Sequence, residues 1–127
     1  MPVWVAVYLA ISAGWPLPEL PPQILGWLWV VLIFPVAEEL AFRGFLMGLL
    51  EKQLPKRGFK FVTLSNFLTS LSFSIAHLFT RSLMLGLLVF VPSLWLGWVR
   101  EKTSSIFLCA AIHVTWNLGF FVAATLA

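Results

Sequence analysis

The stretch ILGWLWVVLIFPVAEELAFRGFLMGLL, residues 24–50, decides the fold. A transmembrane helix needs about 20 consecutive, mainly apolar residues, and this run exceeds that with only Glu38, Glu39 and Arg43 charged. A charged side chain near the bilayer centre costs about 2.5–3.5 kcal/mol on insertion scales. Two carboxylates and a guanidinium in mid-span therefore mark a place where chemistry or a specific ion pair repays that cost.

Working outward, the chain has 127 residues, of which 61% are hydrophobic and 10% charged. Its mean hydropathy is +0.97. A soluble domain carries about 25% charged residues, so this composition excludes a soluble globular enzyme, a disordered segment and a secreted disulfide scaffold. Three further apolar runs cover residues 61–79, 82–99 and 106–127, and a shorter one covers 3–15. The sequence predicts an all-α, polytopic transmembrane helix bundle, with four spans plus a short N-terminal span. Residues 1–127 read as a single transmembrane domain whose core is about 24–127. The N-terminus lacks the basic region of a signal peptide, so the first run is expected to be retained. Cys109 stands alone in an apolar run and forms no intramolecular disulfide.

The breaks between spans are readable. The proline-rich segment 16–22 cannot be helical throughout. Residues 51–60 carry Pro55 and Gly58 among charges, Thr80-Arg81 forms a tight turn, and 100–105 is polar, with Ser104 or Ser105 as N-cap of the last helix. Pro35 and Pro92 fall inside spans, where neighbours must satisfy the freed carbonyls.

Four of the eight basic residues lie in 51–60, and Arg100 and Lys102 form a second group, against Arg81 between the other two spans. By the positive-inside rule the 51–60 and 100–105 loops are cytoplasmic. Positives confined to short breaks are topology determinants, and no nucleic-acid partner is expected. The partners are the lipid bilayer and whatever the in-span polar groups bind. Gly44 and Gly48 have the spacing of close helix packing or a homodimer contact.

Arg43 follows Glu39 by one helical turn and is its natural partner. Glu38, rotated about 100° away, is left to face a cavity. His77 sits late in its span, four residues after Phe73, and His113 and Asn117 are i and i+4 in the last span. At about 1.5 Å per residue from the basic loops, Glu38, Asn117, His113 and His77 lie about 20, 18, 12 and 25 Å deep. Those depths agree to within a turn or two, so these four groups are the candidate catalytic set. Glu38 with His77 can hold and deprotonate a water, and His113 with Asn117 can donate to an oxyanion. Glu39, Arg43 and Phe73 are supporting residues.

In order, Glu38-Glu39-Leu40-Ala41-Phe42-Arg43 reads E-E-x-x-x-R, Phe73 to His77 reads F-x-x-x-H, and His113 to Asn117 reads H-x-x-x-N. This succession resembles the CPBP intramembrane protease family, also called Abi, which includes CAAX endopeptidases and bacterial self-immunity proteins. The resemblance runs from about Leu32 to Phe121. It implies a glutamic-type intramembrane endopeptidase acting near the C-terminus of a membrane-anchored or lipidated protein or peptide. Family members usually carry additional N-terminal helices, and the short chain points to a bacterial plasma membrane. No cofactor is expected. An older metalloprotease reading would place zinc on Glu38, His77 and His113, but HExxH spacing is missing. The competing functions are a non-catalytic peptide-binding protein, such as a self-immunity or chaperone-like factor, and a haem or ion carrier using His77 and His113.

Overall fold

The computed structural model describes residues 23–56, 58–59 and 61–126. The short run at 3–15 and the proline-rich segment 16–22 lie outside the described residues. The chain divides into two compact units, Glu38–Cys109 and Met1–Ala37 with Ala110–Ala127.

Helix α1 spans Ile24–Gln53 and widens twice into π-helical turns, at Trp29–Ile33 and Leu40–Leu46. The first widening has a cause in Pro35. The Phe34 N–H reaches back to the Trp29 carbonyl, and the same register would pair the Val30 carbonyl with the nitrogen of Pro35. Proline has no hydrogen to give. The orphan is satisfied in the Met1–Ala37 with Ala110–Ala127 unit, where Asn117 Nδ2 donates to the Val30 carbonyl at 3.0 Å. In that unit Trp27 also meets Phe121 edge-on, with ring centroids 5.8 Å apart.

The Glu38–Cys109 unit follows α1 with a two-strand antiparallel hairpin, β1 (Gly58–Phe59) and β2 (Val62–Thr63). The polar 51–60 break was expected to be loop throughout. Instead α1 runs on to Gln53, and Gly58 closes the hairpin because a Cβ there would collide with the Val62 backbone. Helix α2, Leu64–Leu78, is N-capped by Thr63, whose Oγ1 accepts from the Asn66 N–H. Phe79 to Ser82 make the expected turn, with Arg81 N–H bonded to the His77 carbonyl at 2.8 Å.

The 82–99 run is not one helix. Helix α3, Leu83–Leu88, stops at Val89, and α4 occupies Phe90–Thr103. Pro92 withholds the donor that the Leu88 carbonyl would need. In the first turn of a new helix that missing N–H is harmless. The break also leaves the last carbonyls of α3 without helical partners, and Ser74 serves one of them, its hydroxyl donating to the Gly86 carbonyl at 2.6 Å. At its far end α4 carries Arg100 to Thr103 in helix, where a polar loop was expected. The Thr103 hydroxyl bonds back to the Val99 carbonyl, and Ser104 ends the helix with φ 53° in the left-handed region. Ser105 then caps α5, Ile106–Leu126, accepting from the Leu108 N–H at 3.1 Å as expected of this position.

The polarity of α2 is inverted relative to a water-soluble helix. Ser65, Asn66, Thr69, Ser70, Phe73 and Ser74 are buried, at a spacing that keeps one face toward α3 and α4, while Phe67, Leu71 and Ile75 are exposed. Small polar residues inside and large apolar ones outside are what lipid as solvent selects. Asn66 anchors the packing. Its Nδ2 donates to the Leu94 carbonyl at 3.0 Å and its Oδ1 accepts from Ser70. Gly97 of α4 lies so close that a Cβ there would overlap the Asn66 side chain.

Among the described residues three helical stretches are long and apolar enough to cross a membrane, Ile24–Gln53, Leu83–Thr103 and Ile106–Thr125. The expected 61–79 span forms only the 15 residues of α2 as helix, about 22 Å at 1.5 Å per residue. Residues 61–63 belong to the hairpin end instead, because Thr63 caps the helix.

Candidate active site

Glu38 and Glu39 lie side by side on α1, just before its second π-helical turn, yet their surroundings differ. Glu39 is fully buried, and its Oε1 is 3.1 Å from Nη1 of Arg43, also fully buried. The spacing-based pairing of these two is present. Arg43 does more: its Nη2 donates to the Ser93 carbonyl at 2.9 Å and the Ser93 hydroxyl at 2.6 Å, and its guanidinium carbon lies 4.8 Å from the centre of the Phe73 ring. A planar cation with several donors suits this role, since it can stack on one partner while hydrogen-bonding others in its plane.

Phe73 links this buried pair to His77. Its ring meets Phe42 edge-on at 5.0 Å and lies 4.3 Å from the His77 ring, tilted by 36°. Its carbonyl is 2.9 Å from His77 Nδ1. A carbonyl can only accept, so Nδ1 carries a hydrogen and, in the neutral ring, the lone pair resides on Nε2. Nε2 lies 3.8 Å from Glu38 Oε1. Both side chains are partly accessible, at 16% for His77 and 31% for Glu38.

An ionised carboxylate and the bare nitrogen of a neutral imidazole are both acceptors, and 3.8 Å exceeds a direct hydrogen bond. A molecule with two O–H donors, each bond about 2.8 Å long, satisfies both at such a separation.

In the unit formed by Met1–Ala37 with Ala110–Ala127, His113 is buried and Asn117 half-buried on α5. One Asn117 Nδ2 hydrogen goes to Val30; the amide group keeps a second. Glu38, Glu39, Arg43, Phe73 and His77 thus belong to one unit, His113 and Asn117 to the other. Glu38 and His77 provide two of the three donors of the alternative zinc set.

Three participants were not singled out from sequence. Ser93 carries two of the Arg43 hydrogen bonds, Phe42 packs against the Phe73 ring, and Val30 supplies the carbonyl that holds Asn117. Pro35 was the signal for the last, because a proline in a span advertises an unsatisfied carbonyl upstream. Ser93 and Phe42 had no such signal.

No curated protein and no solved structure matches the chain. Residues 20–119 match the family described as type II CAAX prenyl endopeptidase, Rce1-like. The match takes in all three motifs and every candidate site residue, and with three apolar helices of spanning length it makes the chain an integral membrane protein. The chain belongs to the Rce1-like family of type II CAAX prenyl endopeptidases.

Proposed function

We propose that the protein is an intramembrane endopeptidase that hydrolyses a peptide bond near the C-terminus of a membrane-anchored or lipidated protein or peptide. The observation that carries this reading is the Glu38–His77 pair, with Oε1 and Nε2 3.8 Å apart and Nδ1 2.9 Å from the Phe73 carbonyl. A water donating to both has its oxygen lone pair free for attack on a carbonyl carbon. Glu38 takes the proton as the new C–O bond forms, and returns it to the amine nitrogen as the C–N bond breaks. His77 orients the water through Nε2. His113 and Asn117 are assigned to the oxyanion, Asn117 through the amide hydrogen that Val30 does not use. Glu39, Arg43 and Phe73 position His77 and Glu38.

The reading takes no metal; a zinc-dependent version of the same hydrolysis would recruit Glu38, His77 and His113 as ligands. The substrate is drawn from the membrane, and the 51–60 and 100–105 segments face the cytoplasm of a bacterial plasma membrane, supported by their six basic residues. In this topology α2 also crosses the bilayer.

The test is cleavage of lipidated and transmembrane model peptides by purified wild type and Glu38→Gln, with and without a zinc chelator. General-base catalysis contributes about 10²–10⁴-fold. Wild-type cleavage is expected to survive chelation, and Glu38→Gln to lose at least about a hundredfold in kcat while remaining folded. Unchanged kcat in Glu38→Gln would sink the proposal. Cleavage abolished by chelator would replace it with the zinc version.

A further inference from the structure

A groove of about 520 Å³ opens in the Glu38–Cys109 unit, away from Glu38 and His77. Its apolar floor is the Gly44–Gly48 face of α1, flanked by Phe45 and Leu49, both exposed. A Cβ placed on Gly48 would meet nothing within 4 Å, so the groove is open there, whereas one on Gly44 would press on the Ile106 side chain at 3.3 Å and closes the other end. At one end of the groove stand Lys52 from the last turn of α1 and Arg100 from the last turns of α4, with Glu51 beside them.

The two cations are unspent. Neither side chain makes a hydrogen bond or ion pair among the described residues, and Glu51 lies beyond ion-pair distance of both. Arg100 Nε is shielded from solvent and has no acceptor. A shielded donor without a partner is unfavourable unless something supplies the acceptor, and an arginine fork suits phosphate oxygens.

We propose that this groove binds one anionic glycerophospholipid. Its phosphate sits between Lys52 and Arg100, and the upper part of an acyl chain lies over Gly48 beside Phe45 and Leu49. Charge complementarity selects the headgroup: two cations outweigh one carboxylate, and Glu51 can accept from hydroxyls of a glycerol headgroup while repelling a second phosphate. Basic clusters at the ends of transmembrane helices bind acidic lipids by this electrostatic logic. The site uses none of the groups assigned to hydrolysis, so it stands or falls independently of the protease reading.

The experiment is native mass spectrometry of the detergent-purified full chain titrated with phosphatidylglycerol or phosphatidylcholine. Each basic residue strengthens anionic-lipid binding about fivefold. Wild type is expected to retain one phosphatidylglycerol with a preference on the order of 20-fold over phosphatidylcholine. Lys52→Gln with Arg100→Gln, both near helix ends, should bring that preference close to parity. Gly48→Leu, which fills the floor, should weaken binding of phosphatidylglycerol several-fold with the cations untouched. A wild type without preference, or a preference that survives the double charge variant, would overturn the proposal. A dimer that Gly48→Leu dissociates would assign the groove to a second copy of the chain and overturn it as well.

Discussion

Arg43 joins three kinds of contact on one side chain: an ion pair, hydrogen bonds and a stacked ring. It neutralises Glu39 four residues earlier and reaches across to Ser93, 50 residues later, while its face covers Phe73. Because both charges are fully buried, removing either leaves the other uncompensated, a situation that costs about 3–5 kcal/mol. Arg43→Met and Glu39→Gln are each expected to destabilise the protein by about that amount. The double variant should cost less than the sum by at least about 2 kcal/mol, since it leaves no buried charge. Thermal unfolding in detergent measures the cycle, and additive losses would show that the pair is not energetically coupled. The Glu39 contact was legible because helical spacing reports neighbours along one helix. Ser93 was not, because a contact between helices depends on how α1 and α4 approach, which periodicity does not contain. The same limit applies to His77. Its distance from Phe73 was visible as i and i+4, but the use of the Phe73 carbonyl to fix the tautomer was not.

Elements in this protein are interrupted where prolines stand, and polar side chains from elsewhere take up carbonyls near the interruptions. Pro35 widens α1 and Asn117 takes up the Val30 carbonyl; Pro92 separates α3 from α4 and Ser74 takes up the Gly86 carbonyl. The sequence located both prolines and, in outline, the carbonyl problem upstream of Pro35, though neither the Asn117 donor nor the need at Gly86. Element ends were less legible. Arg100 to Thr103 read as loop from their polarity, yet polar residues are good helix formers at the end of a span, and it is the left-handed Ser104 that stops α4. The Gly58 hairpin was hidden because two-residue strands have no periodicity to detect. The Pro35–Asn117 account makes a prediction about stability that is separate from catalysis. Asn117→Ala should cost about 1 kcal/mol by orphaning the Val30 carbonyl. In a Pro35→Ala background, residue 35 regains an N–H able to serve that carbonyl, and the same Asn117→Ala change should cost less than half as much. A cycle in chemical denaturation reads the coupling; equal costs in both backgrounds would mean that Asn117 does not compensate for the proline.

At the scale of the molecule the question is how a 15-residue helix fits a bilayer. At about 22 Å, α2 falls short of a hydrocarbon core of about 30 Å, and each ångström of mismatch costs a fraction of a kcal/mol. Its surface nevertheless belongs in lipid. Phe67, Leu71 and Ile75 are exposed along it, and Phe59, Phe61 and Phe79 are 81%, 70% and 85% exposed at its two ends. Placing those rings in water would forfeit the transfer free energy of several large apolar side chains, roughly 1.5–3 kcal/mol for each one fully buried, which outweighs local thinning over a mismatch of about 8 Å. Crossing by α2 therefore has a topological signature in the three exposed positions Gln53, Arg81 and Lys102. With Cys109 replaced by alanine, single cysteines at Gln53 and Lys102 should react with a membrane-impermeant maleimide from the same side, and a cysteine at Arg81 from the opposite side. If α2 instead rests in one leaflet, α3 and α4 provide the only crossing between Gln53 and Lys102. Then Gln53→Cys and Arg81→Cys would label together and Lys102→Cys apart. That outcome would put the basic 51–60 and 100–105 segments on opposite faces of the membrane, and the positive-inside argument for the whole chain would fall with it.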